Sequence, residues 1–434
     1  MRRTSRLRAF LADGALALLL GAPLASDAFI VSANGEQEVS PSVAYDTDRD
    51  EYLVVWSEDR LQCDDIRAQR ISSEGALLGD AFDVSAGCPA DRSLPDVAYD
   101  GVHDQYLVVW AQHDPSSGSS IQARRVSGAG AVVDASDLEI RNAGANLYTP
   151  GEPAVAYASW ADRYLVVWSE TWHPAPITHG IYGQVVTSSG SSDGSSFPVS
   201  EGSEAREAPD VTYDRDADRY LVVWQTKPGD LWDVHGRQVH GGGGVYQDEI
   251  LIAYYTSSST APRVAAMPGA PDDDAFMVVF EQHYATDRDI HAQLVARDGT
   301  VVTDFPISNF PLSDESAPAI AASEGDRHYR VLWRNSLDPT GDTIRGRICS
   351  DTGTLEGPIL DVSGVASDHP ALAAGSGRYL LAWQDQLPSY FDTDIFGRVV
   401  PEPVAGLGAA AALLATAGLR RRRGARPLGA RRAV

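Results

Sequence analysis

Residues Tyr52–Trp56 read Tyr-Leu-Val-Val-Trp, and the chain returns to this pattern at Tyr106–Trp110, Tyr164–Trp168, Tyr220–Trp224, Phe276–Phe280, Tyr329–Trp333 and Tyr379–Trp383. From one Trp (or Phe280) to the next the steps are 54, 58, 56, 56, 53 and 50 residues. In a strand alternate side chains point to opposite faces, so these copies are apolar on both. Such a strand must be covered on both sides, as in a sheet held between neighbouring sheets. Recurrence at this period is the mark of a repeat array, with propellers high among the architectures.

Each unit carries three further short segments. One precedes the apolar strand and reads Pro-x-Val-Ala-Tyr-Asp at Pro41–Asp46 and Pro95–Asp100, with Thr for Ala at Pro209–Asp214; looser copies start at Pro153, Pro262, Pro318 and Pro370. The third runs from an Ile or Val to a small residue at +2 and Gln or Arg at +3, as in Ile66–Gln69 and Ile121–Arg124. The fourth is Phe-x-Val-Ser, as in Phe82–Ser85, Phe197–Ser200 and Phe305–Ser308. Short strands separated by Asp, Gly and Ser turns predict four-stranded blades.

The ends of the array predict closure. Phe29-Ile30-Val31-Ser32 is a fourth-type strand with no unit before it, and Ile395–Val400 is a third-type strand with no fourth after it. Pairing the two leaves no exposed sheet edge. The expected fold is therefore all-β: a seven-bladed β-propeller over 29–400, closed by pairing of the N-terminal strand with the last blade. A string of small sandwich domains is the runner-up, but roughly 53 residues is thin for an independent core.

Composition changes the picture at the ends. The whole chain carries a formal charge of −25, yet Arg2, Arg3, Arg6 and Arg8 lie at one end and Arg420–Arg423 near the other. The strongly acidic body between them argues against nucleic acid as a partner. Residues 1–28 read as a secretory signal: a basic start, an apolar run from Ala15 to Leu24 and small residues at Ser26 and Ala28. At the other end Pro401, Glu402 and Pro403 precede an apolar run over 404–419 and then the Arg cluster. Held as a helix, that run is a short transmembrane segment with its basic end in the cytoplasm.

This tripartite tail, 401–434, resembles the PEP-CTERM sorting signal of Gram-negative bacteria. The resemblance implies an exported protein, a transient inner-membrane anchor and an exosortase-type enzyme as partner. The repeat itself resembles those of secreted bacterial proteins of unassigned activity, which adds an extracellular setting but no reaction.

Candidate chemistry is sparse. The sequence has no His-Glu-x-x-His, no phosphate loop and no Cys-x-x-Cys, and its His residues are scattered. No metal site or cofactor is expected, with weak calcium binding at Asp-rich turns such as Asp46–Asp50 and Asp214–Asp218 as a side reading. Those turns lack the Gly and Glu of an EF-hand loop and read as hairpin turns. Cys63 and Cys88 fall in loops on one face of a propeller, so a disulfide is plausible after export. The Gln/Arg series of the third strands reads as a tie between blades.

Two residues past each Trp stands a polar side chain: Glu58, Gln112, Glu170, Thr226, Gln282, Asn335 and Asp385. Loops on that face add Trp172, Trp232, Tyr284 and Tyr390. Aromatic faces beside directed hydrogen bonds suit a sugar-binding groove. The expectation is a non-enzymatic cell-surface or extracellular-matrix protein whose ligand is polysaccharide or a surface protein. The alternatives are a secreted glycan-active hydrolase or lyase using channel carboxylates such as Glu58, Glu170 and Asp385, and a calcium-dependent adhesion module.

Overall fold

A computed structural model describes residues 27–402, except 61–62, 143–147, 173–175, 271–275, 310–312, 324, 326, 338–340, 364–366 and 387–392. Most of the signal segment, Tyr390, Pro403, the 404–419 run and the Arg tail therefore lie outside the described residues. Among the described residues every regular element is a strand. No helix among the described residues is long and apolar enough to cross a membrane.

The chain begins with β1 (Phe29–Ser32). Then come β2 (Gln37–Asp46), β3 (Glu51–Arg60), β4 (Cys63–Ser72) and β5 (Leu77–Ser85), an antiparallel sheet in sequence order. The same order recurs in β6 (Asp91–Asp100), β7 (Gln105–Asp114), β8 (Gly118–Ser127) and β9 (Leu138–Asn142). It recurs again in β10 (Tyr148–Ala158), β11 (Arg163–Trp172), β12 (Thr178–Thr187) and β13 (Phe197–Gly202). The next sheet is β14 (Ala205–Asp214), β15 (Arg219–Lys227), β16 (Asp233–His240) and β17 (Ile250–Ala253).

An eight-stranded sheet follows. It holds β18 (Ser259–Ala266), β19 (Phe276–His283), β20 (Arg288–Val295) and β21 (Val301–Pro306), then β22 (Asp314–Ser323), β23 (His328–Leu337), β24 (Gly341–Ser350) and β25 (Leu355–Asp361). Its two halves meet through one parallel pair, Arg288 with Asp314. Finally β26 (Ser367–Ala374), β27 (Arg378–Gln386) and β28 (Thr393–Pro401) pair in order, and β1 completes that sheet with Phe29 opposite Gly397 and Ile30 opposite Phe396.

The apolar strands hold the sheets face to face. Tyr52 through Trp56 are wholly buried, as are Tyr164 through Trp168 and Tyr220 through Trp224. One core joins Leu53 and Val55 to Tyr106, Val108 and Trp110 of the next sheet. Another joins Val31, Ile395 and Val399 to Tyr52, Val54 and Trp56. First strands pack on first strands in a circuit: β2 on β6, β6 on β10, β10 on β14, β14 on β18, β18 on β22, β22 on β26 and β26 back on β2. Hydroxyls pin the same joints, with Tyr52 donating to the Arg378 carbonyl (3.2 Å), Tyr220 to Arg163 (2.9 Å) and Tyr379 to His328 (3.2 Å).

The small residue at +2 of the third strand has a steric cause. A Cβ on Gly397 would stand 2.9 Å from the Phe29 ring, and one on Gly183 would stand 3.1 Å from Phe197. The Gln/Arg series divides by residue type. Arg124, Arg237 and Arg347 each donate to a carbonyl in or just past the fourth strand of the preceding unit (Val84, Val199 and Ile307, all 2.8 Å), so they do tie units together. Gln69 and Gln184 instead donate to carbonyls of their own sheet, at 2.8 Å to Arg70 and Val185. Gln293 is the exception among the amides, donating to the Tyr255 hydroxyl of the preceding unit at 3.3 Å.

Cys63 and Cys88 form a disulfide with Cα atoms 5.6 Å apart. Cys349 is a buried free thiol, and burial pushes it up to about 12, out of reach of nucleophilic use at neutral pH.

Closure also buries an acid. Glu38 accepts from Ser32 Oγ (2.5 Å) and from the Ile395 amide (3.3 Å), and burial pushes its carboxyl up to about 7. A carboxyl whose folded value exceeds its unfolded value stabilises most at low pH and loses that stability as pH rises toward 7. Glu38→Gln is therefore expected to gain up to about 3 kcal/mol over the parent at pH 8, and nothing near pH 4. Melting curves at the two pH values read this directly; an equal gap at both would show that Glu38 does not titrate with folding.

Candidate functional site

The first strands of the circuit share one irregularity. The residue before each proline lies in the left-handed region: Ser40, Leu94, Glu152, Ala208, Ala261, Ala317 and His369 have φ between 43° and 55°. Non-glycine residues avoid that region, and residues before proline ordinarily stay extended. Here a bulge absorbs the cost, since the register slips at the same points, for example between Ser93 and Asp96 and between Glu207 and Asp210. Each bulge re-aims the residue after the proline toward a central cavity of about 470 Å³ that these strands line.

The residues at that position are Ser42, Asp96, Ala154, Asp210, Arg263, Ala319 and Ala371. All seven line the cavity: Ser42, Asp96 and Asp210 with Arg263, and the small Ala154, Ala319 and Ala371. At this position two carboxyls and one guanidinium share a cavity whose wall is otherwise mostly Ala, Pro and Val. Asp96 accepts from Ser42 Oγ (2.7 Å) and the Val155 amide (2.8 Å). Asp210 accepts from the Val264 amide (2.8 Å). Burial raises both carboxyls against the pull of Arg263; Asp210 reaches about 6, with the Asp96 charge adding to the rise. Exposed Glu152 and half-exposed His369 stand at the same end of the cavity.

This constellation is what the sequence reading missed. The signal was the variable x of Pro-x-Val-Ala-Tyr-Asp, which is charged in three units only. The residues singled out beforehand have other partners. Glu170 is buried, held by Arg141 at 2.8 Å and 3.0 Å and by the Trp168 indole N–H at 2.9 Å. Glu58 is buried against Asn34 (2.7 Å) and Arg60 (2.6 Å). Thr226 accepts from the Trp224 indole at 2.9 Å, and Asn335 accepts from Arg345 at 3.0 Å. Gln282 donates to Ser257 Oγ at 2.7 Å, and Asp385 accepts from Ser367 Oγ at 3.2 Å. Gln112 stands opposite Arg92 in the ladder.

The expectation that Glu58, Glu170 and Asp385 converge as open channel acids is therefore corrected. A residue two past the Trp shares the face of the Trp ring, and at Trp168 and Trp224 it supplies the acceptor that a buried indole N–H needs. Among the aromatics, Trp172 and Tyr284 are exposed, with Tyr284 Oη 3.1 Å from His291 Nε2, and Trp232 lies 5.6 Å from Lys227 Nζ. They do not line the central cavity. The Asp turns are closed on themselves: Asp46 Oδ1 accepts from the amides of Asp48 and Arg49, both at 2.9 Å. Asp100, His103 and Asp162 come within 4.8 Å of one another, and His103 Nδ1 bonds Asp100 Oδ2 at 2.9 Å.

No protein-family model matches the sequence, and no curated protein matches it. Among solved structures it is similar to a puromycin hydrolase (S511A mutant complexed with PGG), at a TM-score of 0.52 and 12% identity over 87% of this chain and 55% of that one. It is similar also to the Hadza microbial sialidase Hz136, at 0.46 and 11% over 84% and 66%, and to the Penicillium chrysogenum alpha-L-arabinanase, at 0.47 and 11% over 87% and 99%. At such identities the likeness is one of fold: all-β, of four-stranded antiparallel sheets. Every one of these three is named as an enzyme, two of them for glycan substrates. The expectation of a non-enzymatic scaffold is corrected on that finding.

Proposed function

We propose that this chain is an exported, seven-bladed β-propeller hydrolase acting on a glycan at its central channel. The observation that carries the reading is the pair Asp96 and Asp210, two carboxyls of unequal surroundings in one cavity beside a single Arg263. Glycoside cleavage uses two such groups, one protonated and one ionised. Asp210, whose carboxyl burial holds at about 6, donates its proton to the glycosidic oxygen as the bond from the anomeric carbon breaks. Asp96, raised by burial but opposed in that by its donors Ser42 Oγ and the Val155 amide, takes a proton from the water that attacks that carbon. Arg263 keeps the second negative charge tolerable.

The blade count is supported by the closed circuit of first strands and by the single bridge at Arg288, where the eight-stranded sheet divides into two repeats. Export rests on residues 1–28 and on the Pro401-Glu402-Pro403 tail, for which an exosortase-type enzyme is the partner. The disulfide between Cys63 and Cys88 suits that destination.

The test is release of reducing ends from a panel of neutral and anionic polysaccharides by the purified 29–400 chain with its disulfide intact. Turnover is expected on at least one member, with the rate falling as pH rises past about 6 and Asp210 loses its proton. Binding without turnover across the panel would overturn the assignment.

A further inference from the structure

The opposite end of the channel is built differently. A second cavity of about 680 Å³ opens there, lined by Tyr45, Tyr99, Tyr157 and Tyr213 from the consecutive strands β2, β6, β10 and β14. The equivalent residues of the other three first strands are Ala266, Ala322 and Ala374. The mouth is therefore aromatic along one arc and small along the rest. Each phenol hydroxyl is already used, donating to Asp50 (2.7 Å), Asp104 (3.2 Å), Asp162 (2.8 Å) and Asp218 (2.7 Å) of its own turn. What the rings offer a ligand is their carbon faces, held in place by those bonds.

A separate observation falls on the same rim. Trp160, in the turn after β10, is 72% exposed, and its backbone is hydrogen-bonded to Tyr213. Val102, in the turn after β6, lines the cavity while 61% exposed. A tryptophan so exposed has given up its hydrophobic contribution to the fold, and it stands next to Ser159, which lines the cavity. Thr47, Ser159 and Arg215 supply polar atoms along that edge.

We infer that this mouth is a second carbohydrate-binding site, one that takes the pyranose rings of a neutral polysaccharide on the arc of Tyr45, Tyr99, Tyr157, Tyr213 and Trp160. Sugar rings have an apolar C–H face that stacks on aromatics and a hydroxyl edge that bonds to polar rims. The carboxylates of Asp48, Asp50, Asp216 and Asp218 crowd the surrounding turns, in a chain of net charge −25, so a polyanion would be repelled. The inference rests on the glycan reading above and adds a site that anchors the polymer away from the channel acids.

Affinity electrophoresis in gels containing β-glucan, mannan, galactan, arabinan, alginate or polygalacturonate tests it. At least one neutral polymer is expected to retard the protein. Trp160→Ala should weaken that retardation about tenfold, Trp160→Phe should largely restore it, and Val102→Glu should weaken it as well. Asp210→Asn should still be retarded although it no longer releases product. Retardation unchanged in Trp160→Ala, retardation by the polyanions alone, or none by any neutral polymer would each overturn the inference. Hydrolysis without Trp160-dependent retardation sinks this site only, and retardation without hydrolysis sinks only the channel assignment.

Discussion

Asp210→Asn is expected to lower turnover by at least about a hundredfold, the contribution of one positioned general acid. The amide matches the carboxyl in shape and can still accept from the Val264 amide, but it has no proton to give. Loss of rate through misfolding is separable from loss of chemistry by the sign of the stability change. Burial holds the Asp210 carboxyl at about 6, above its unfolded value. Its stabilising share is thus full at acid pH and fades as pH rises through 6. The neutral amide escapes that fading, so at pH 8 the variant should melt at or above the parent temperature. A variant that melts as expected yet keeps its rate would remove Asp210 from the mechanism. One that is inactive and melts far lower would return the residue to a purely structural part.

How much of this was legible in the chain follows from which side chains repeat. Tyr-Leu-Val-Val-Trp could be read as a doubly covered strand because every position in it is buried in most units, so selection for packing leaves the same letters each time. The orphan strand at Phe29 could be matched to Ile395–Val400 for the same reason. The repeated polar position after the Trp reads as a ligand contact, and the structure gives most of these side chains partners within the protein. At Trp168 and Trp224 that residue, Glu170 or Thr226, serves the fold by accepting from the buried indole.

The channel acids showed the opposite pattern. Asp96, Asp210 and Arg263 break the repeat at a position held elsewhere by Ser or Ala, and only the bulge before them reveals that this position faces the cavity. The tyrosine arc was hidden likewise, since its Tyr looked like one more letter of a motif until three units were seen to lack it. In a repeat fold, structure is written in what recurs and chemistry in what does not.

The same logic gives the sharpest test of the closure. Val31→Asp is expected to cost about 5 kcal/mol, the sum of a lost valine core contact and an unpaired buried charge. Val31 is 3% exposed and packs with Tyr52, Val54, Trp56 and Ile395, so the charge would sit between the first sheet and the last. Its neighbour Ile30 is 49% exposed on the same four-residue strand. Because faces alternate along a strand, Ile30→Asp should change stability by less than about 1 kcal/mol. Chemical denaturation of the two variants in parallel decides the matter. A large loss at 31 with little at 30 requires β1 to pair with β28 in this register. Equal, small losses would mean that the first strand lies loosely on the surface and that the joint between Tyr52 and Arg378 holds the ring shut without it.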